Sequence, residues 1–199
     1  MKVIGITGGV GSGKSRVLSY LEEKHHAVFC LADHVAWELQ KPGQECYLEI
    51  VEHFGTCILN EDKTINRKAL GQIVFGNDAQ LQVLNAIMHP AVKCEIQKRI
   101  SEEKANGRKL FFLEAALLIE EHYDEICDEL WYIYTSEQIR RQRLKESRQY
   151  SDEKIDAIMA TQLSEEMFRK ACKNVIENNS TFEETGAKLD DAIEKLGEN

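Results

Sequence analysis

The sequence predicts an α/β fold of three layers, a parallel sheet covered by helices, with a helical insertion and a short lid. Three observations predict it. Residues 8–15 read Gly8-Gly9-Val10-Gly11-Ser12-Gly13-Lys14-Ser15, a G-x-x-x-x-G-K-[ST] phosphate-binding loop set between an apolar run and a helical pattern. Further apolar runs of strand length recur down the chain with helical patterns between them, as in sheets buried on both faces. The interval 37–108 interrupts that alternation and holds no clear buried strand.

The first strand is Val3-Ile4-Gly5-Ile6-Thr7, short and apolar. In the loop that follows, glycines permit backbone angles that let successive N–H groups converge on phosphate oxygens. Lys14 sets an ammonium against β- and γ-phosphates, and the Ser15 hydroxyl is a Mg²⁺ ligand in loops of this type. Val17, Leu18 and Leu21 then keep helical spacing, so the loop gains the positive end of a helix dipole. A dinucleotide-binding G-x-G-x-x-G loop is excluded, because Lys14 stands where the third glycine belongs. The order strand, loop, helix is that of P-loop NTPase-type folds.

The second strand is Ala27–Leu31, running into Ala32-Asp33. Residues 37–108 then read as mostly helical, with a Phe54-Gly55 turn. Leu81, Leu84, Ile87 and Met88 form one apolar stripe, which His89-Pro90 is expected to punctuate. The third strand, Leu110–Leu113, ends at Glu114, the fourth is Leu130–Tyr134, and a short fifth is Val175-Ile176. Between the last two, Ile155, Ile158, Met159, Leu163, Met167 and Phe168 mark a helix with a packing face. The predicted division is a core of 1–36 with 109–199, an insertion of 37–108, and a lid of 136–150 within the core.

With 199 residues and 43% hydrophobic composition, the chain suits one compact domain with an elaboration. A net charge of −9 argues against nucleic-acid binding, which needs an extended basic face. No apolar run reaches the length of a membrane span. The six cysteines are scattered with no C-x-x-C pair, so reduced, mostly buried thiols are expected, without disulfides or a zinc site. The chain enters its first strand at once, leaving no room for a signal peptide, and a cytoplasmic setting is expected. The sequence sets no oligomeric state.

Several side chains carry chemistry. Asp33 follows the second strand at its carboxyl end, where open parallel sheets bind ligands. It reads equally as a base for a hydroxyl or as the N-cap of a helix starting at His34. Glu114 ends an apolar strand as a Walker-B-type acid does, and reads as a metal-water or substrate ligand or as an ordinary strand-end acid. Arg140, Arg141, Arg143, Lys145 and Arg148 crowd one stretch of an acidic chain. Beside a phosphate loop, one or two of these arginines suit a lid that closes on the γ-phosphate. His25-His26 reads as an exposed helix end. The kinase H-R-D and D-F-G elements and the guanine-reading N-K-x-D are absent.

Over nearly its whole length the sequence resembles the dephospho-CoA kinases. The resemblance rests on Ile6–Ser15, Ala32-Asp33, Phe54-Gly55, Arg67 with Leu70, Val74-Phe75 and Ile87-Met88-His89-Pro90. It continues through Leu117-Leu118-Ile119-Glu120, Gln142-Arg143-Leu144, Gln162 and Asn178. It implies an enzyme that moves the γ-phosphoryl group of ATP to the ribose 3′-hydroxyl of dephospho-CoA, with Mg²⁺ held at Ser15. It also implies that the loop from Gly8 to Ser15, with Arg16, binds the ATP phosphates, and that Asn178 lies near adenine. Asp33 becomes the base, while Arg67 and His89 fall in an acceptor-binding insertion. Glu114 and Leu117 lie on the acceptor side, and Arg140 and Arg143 in the lid.

The chain departs from the family pattern in four places. Arg16 replaces the usual Thr, Glu114-Ala115-Ala116-Leu117-Leu118 replaces Asp-x-Pro-Leu-Leu, Ser147 replaces an arginine, and Cys172-Lys173 replaces Ala-Asp. Two rivals stand beside this reading: another P-loop small-molecule or nucleoside kinase, and a non-catalytic ATP-binding switch.

Overall fold

A computed structural model of the chain describes residues 1–197. In chain order the elements are β1 (Lys2–Thr7), α1 (Lys14–His25), β2 (Val28–Leu31), α2 (Ala32–Leu39), α3 (Glu45–Phe54), α4 (Arg67–Val74) and α5 (Asp78–Ala105). There follow β3 (Leu110–Glu114), β4 (Glu129–Tyr134), α6 (Glu137–Arg148), α7 (Asp152–Ala160), α8 (Glu165–Ala171), β5 (Asn174–Glu177) and α9 (Phe182–Gly197). The strands form one sheet in the order β2-β3-β1-β4-β5. β1 pairs in parallel with β3 and with β4, and β4 with β5. The α/β class is therefore as the alternating runs predict. β1 and β4 are buried at almost every residue, because helices cover both faces. β2 is less buried than its composition suggests, with Phe29 exposed, because it is an edge strand.

Two compact units are resolved, one of residues 1–29 with 103 onward, the other Cys30–Glu102. In the first, Glu129 is buried at the start of β4 and accepts from Trp131 Nε1 (2.7 Å), Lys173 Nζ (2.6 Å) and Asn174 Nδ2 (2.9 Å). Burial pushes this carboxyl up, but the three donors outweigh it and hold the acid below its ordinary range. Lys173, one of the departures from the family pattern, is thereby committed to stitching β4 to β5.

The second unit is mostly helical, and α5 is not punctuated at His89-Pro90. It runs unbroken through Pro90 for 28 residues. Met88, Val92 and Ile96 bury at four-residue intervals across the proline, and this packing on both sides holds the helix together. The expected stripe therefore lies further along the helix, and Leu81 is exposed. A second correction concerns Ile155–Phe168. The stretch is two helices, α7 and α8, because Ser164 caps a new start by accepting from Met167 N. Ile155 and Phe168 are buried, and Met167 is exposed.

All six cysteines are free thiols. Cys30, Cys46 and Cys172 are buried and Cys127 half-buried, while Cys57 and Cys94 are exposed, so fewer are buried than expected. Among the described residues no helix is long and apolar enough to cross a membrane.

Candidate active site

The parallel register builds the site. Ile6 of β1 lies opposite Glu114 of β3, so the last acid of one strand arrives beside the loop that leaves the other. Residues 8–13 form the loop, and α1 begins at Lys14. Lys14 Nζ donates to Gly8 O at 2.7 Å and lies 3.7 Å from Glu114 Oε1. Burial lowers the Lys14 pKa, with Glu114 pulling the other way and the Arg140 and Arg148 charges adding to the fall. Ser15, one residue into α1, is exposed. Glu114 is the strand-end acid expected, and it faces Lys14 instead of open solvent.

The loop is braced from outside. Ser12 O accepts from Asn178 Nδ2 (2.8 Å) and from Thr135 Oγ1 (3.1 Å). The Asn178 side-chain oxygen accepts from Thr185 Oγ1 (3.0 Å), so both ends of its amide are committed to the protein. Asn178 O in turn accepts from Arg143 Nη2 (3.0 Å). Gly13, the N-cap of α1, sits at φ 90°, and a Cβ there would run into the Asn178 amide. Glycine is required at this point by the brace as well as by the left-handed backbone.

Helix α6 divides the basic cluster in two. Arg141 pairs with Glu137, Asp152 and Asp156, and Lys145 with Asp152 at 2.7 Å, which ties α6 to the start of α7 at the surface. Arg140 and Arg143 turn the other way, onto the loop. Arg140 Nη1 donates to Gln162 Oε1 (3.2 Å), and the same oxygen accepts from Val10 N (3.3 Å). Arg140 packs so closely on Gly9 that a Cβ there would collide with its guanidinium. Burial lowers the Arg143 pKa, and the Arg16 charge adds to this. Arg140 Nε and Ser12 Oγ are buried polar atoms without a hydrogen-bond partner in the protein.

A cavity of about 620 Å³ opens over the loop, lined by Val10–Arg16 together with Glu114, Arg143, Arg148, Asn178 and Phe182. The structure thus gathers Gly11, Ser12, Gly13, Lys14, Ser15, Arg16, Glu114, Arg143 and Asn178 around one space. Gly8 and Gly9 form the underside of the loop, and Arg140 buttresses it from behind. Leu117 is exposed in the turn after β3.

Asp33, Arg67 and His89 lie in the helical unit. Asp33 is in the first turn of α2, where Leu31 is the N-cap residue. It is therefore not the cap that its position allowed, and its carboxylate is exposed. Arg67 is the first residue of α4, exposed, behind the Asn66 side chain that caps Lys68 N and Ala69 N. His89 is half-buried in the middle of α5.

Two participants escaped the sequence reading of roles. Gln162 was visible only as a matching residue, and Thr135 not at all. An uncharged side chain far along the chain gives no chemical signal until the fold brings it to the loop. The histidine pair was read as an exposed helix end. His26 is exposed, but His25 is half-buried with Nε2 2.7 Å from Asp190 Oδ1. Among the described residues no group of three His, Cys, Asp or Glu side chains is arranged to hold a metal.

Residues 2–184 match the family model described as dephospho-CoA kinase. A dephospho-CoA kinase of Streptococcus mutans is 34% identical over 98% of this chain and 98% of its own length. One of Carboxydothermus hydrogenoformans is 36% identical over 98% of this chain and 94% of its own. A crystal structure from Thermus thermophilus superposes with a TM-score of 0.83 at 26% identity, covering 98% of this chain and 97% of that one. With the family model matched over residues 2–184 and relatives 34% and 36% identical over 98% of its length, the chain belongs to the dephospho-CoA kinase family.

Proposed function

We propose that this chain transfers the γ-phosphoryl group of ATP to the ribose 3′-hydroxyl of dephospho-CoA, giving coenzyme A and ADP. The observation that carries the reading is the Lys14 ammonium, desolvated at the loop between Gly8 O and Glu114 in a cavity large enough for a nucleotide. A polyphosphate adds to the countercharge that one carboxylate, 3.7 Å away, gives this half-buried cation. Unpartnered Ser12 Oγ, a hydroxyl donor on the cavity wall, suits the same anionic class of ligand.

In the reaction the 3′-oxygen bonds to the γ-phosphorus as the bond to the β,γ-bridging oxygen breaks. ADP leaves with that electron pair, and the hydroxyl proton passes to Asp33, whose carboxylate is exposed and uncommitted to capping. Loop N–H groups and Lys14 hold the β- and γ-oxygens, and Arg143 adds charge at the cavity wall. Ser15 and Glu114, both on that wall, are the oxygen donors that suit Mg²⁺. Held there, the ion would neutralise phosphate charge. Residues 136–150 act as the lid, Arg67 and His89 hold the acceptor, and the setting is cytoplasmic.

A coupled ADP-release assay with Mg·ATP, run with and without dephospho-CoA and checked for coenzyme A by mass, tests this. Acceptor-dependent ADP release with coenzyme A formed is expected. Release indifferent to dephospho-CoA overturns the acceptor and leaves only the nucleotide.

A further inference from the structure

Arg16 follows the loop motif directly, yet its guanidinium lies over the Phe182 ring at the start of α9, 4.1 Å from the centroid. Phe182 in turn meets Tyr20 edge to face, with centroids 5.5 Å apart and planes at 81°. Tyr20 is anchored by its hydroxyl, which donates to the two Asp190 oxygens at 3.1 and 3.0 Å. Asp190 is fixed by Lys24 at 2.6 Å and His25 at 2.7 Å. The result is an ordered stack running from Asp190 through Tyr20 and Phe182 to Arg16.

The outer end of this stack belongs to the cavity over the loop, for Arg16 and Phe182 both line it. Phe182 is the one aromatic side chain in that lining. Once a nucleoside triphosphate places its phosphates in the loop, its base must occupy the rest of the same space. A flat base gains from a flat partner. A guanidinium is planar, weakly hydrated and suited to stacking, and here an aromatic ring backs it on one face.

We infer that Arg16 is a specificity-determining residue that stacks on the base of ATP through a guanidinium clamped against Phe182, and that it does not bind phosphate. The inference rests on the ATP-dependent reading proposed above and changes the role that the loop resemblance gave this residue.

Equilibrium titrations of the full chain with ATP and with inorganic tripolyphosphate, without acceptor, separate base from phosphate. Arg16→Thr and Arg16→Lys are each expected to raise the Kd for ATP about five- to tenfold and to leave tripolyphosphate within twofold. Phe182→Leu keeps an apolar side chain of similar bulk and should show the same split, provided its melting curve stays cooperative. Equal weakening of both ligands in Arg16→Thr, or full recovery of ATP affinity in Arg16→Lys, overturns the inference in favour of simple charge. Variants that show the split, alongside a wild-type chain that phosphorylates no dephospho-CoA, leave the stack standing and remove the acceptor reading alone.

Discussion

The phosphate loop and the start of α2 each offer one group to the proposed chemistry, and they hold it differently. Lys14 follows a loop whose Ser12 carbonyl takes three donors, whose underside carries Arg140, and whose last glycine is pressed by Asn178. Asp33 rides on the first turn of a short helix, exposed, with no capping duty. Positioning a buried ammonium demands a rigid wall of backbone dipoles, since its desolvation must be offset at fixed distances. A carboxylate that accepts one proton needs only access. Changes in the loop should therefore disturb binding and stability together, whereas changes at Asp33 should touch the chemistry alone.

The sharpest test of that contrast is Asp33→Asn. It should lower kcat by about 10²–10⁴-fold, leave the Kd for ATP within twofold, and shift stability by less than about 0.5 kcal/mol. A coupled assay, a titration and a denaturant melt read the three quantities. Loss of stability in this variant would break the comparison. Gly13→Ala is its counterpart in the loop. At φ 90° an alanine costs about 1–2 kcal/mol, and the displaced Asn178 amide releases the brace. Thermal melting and ATP titration should both worsen, and a variant that loses only one would show that the wall is not a unit.

Gln162→Leu probes the wall one step further out. Removing the oxygen shared by Val10 N and Arg140 should weaken ATP binding by about five- to tenfold, the worth of one or two modest hydrogen bonds. Gln162→Glu, which keeps the acceptor, should recover much of it. The smallest effect concerns Cys172, buried at the end of α8, whose thiol burial pushes from 9.0 up to about 12. A raised folded pKa means a contribution fully present below pH 9 and lost as pH climbs towards 12. Wild type should therefore lose up to about 1 kcal/mol more than Cys172→Ala between pH 8 and 9.5, measured by denaturant melts at the two values.

Local features were legible in the sequence. The loop, the apolar strands and the acid ending β3 each depend on a few adjacent residues, and each lies where its pattern placed it. Failures came where distant packing decided. The sequence predicts that His89-Pro90 punctuates the apolar stripe, yet burial of Met88 and Val92 on either side carries the helix through. The Ile155–Phe168 periodicity concealed a break, because a Ser164 cap outweighs an unbroken apolar spacing. Thr135 and Gln162 have no signature, being ordinary polar residues until the sheet register delivers them to the loop. Lys173 reads as a departure from a family pattern, and only the buried Glu129 explains its place.

The bond from Asn178 to Ser12 spans 166 residues, and this sets a timetable for a chain emerging from the ribosome. The phosphate-binding residues are made among the first fifteen, but β1 waits for Leu110 and Glu129 before it has neighbours on both sides. The brace waits longer still, for Asn178. At roughly 5–20 residues per second, the glycine loop spends many seconds as slack, unsupported backbone. A nascent chain halted short of residue 178 therefore carries the whole motif without the side chain that braces its Ser12 carbonyl.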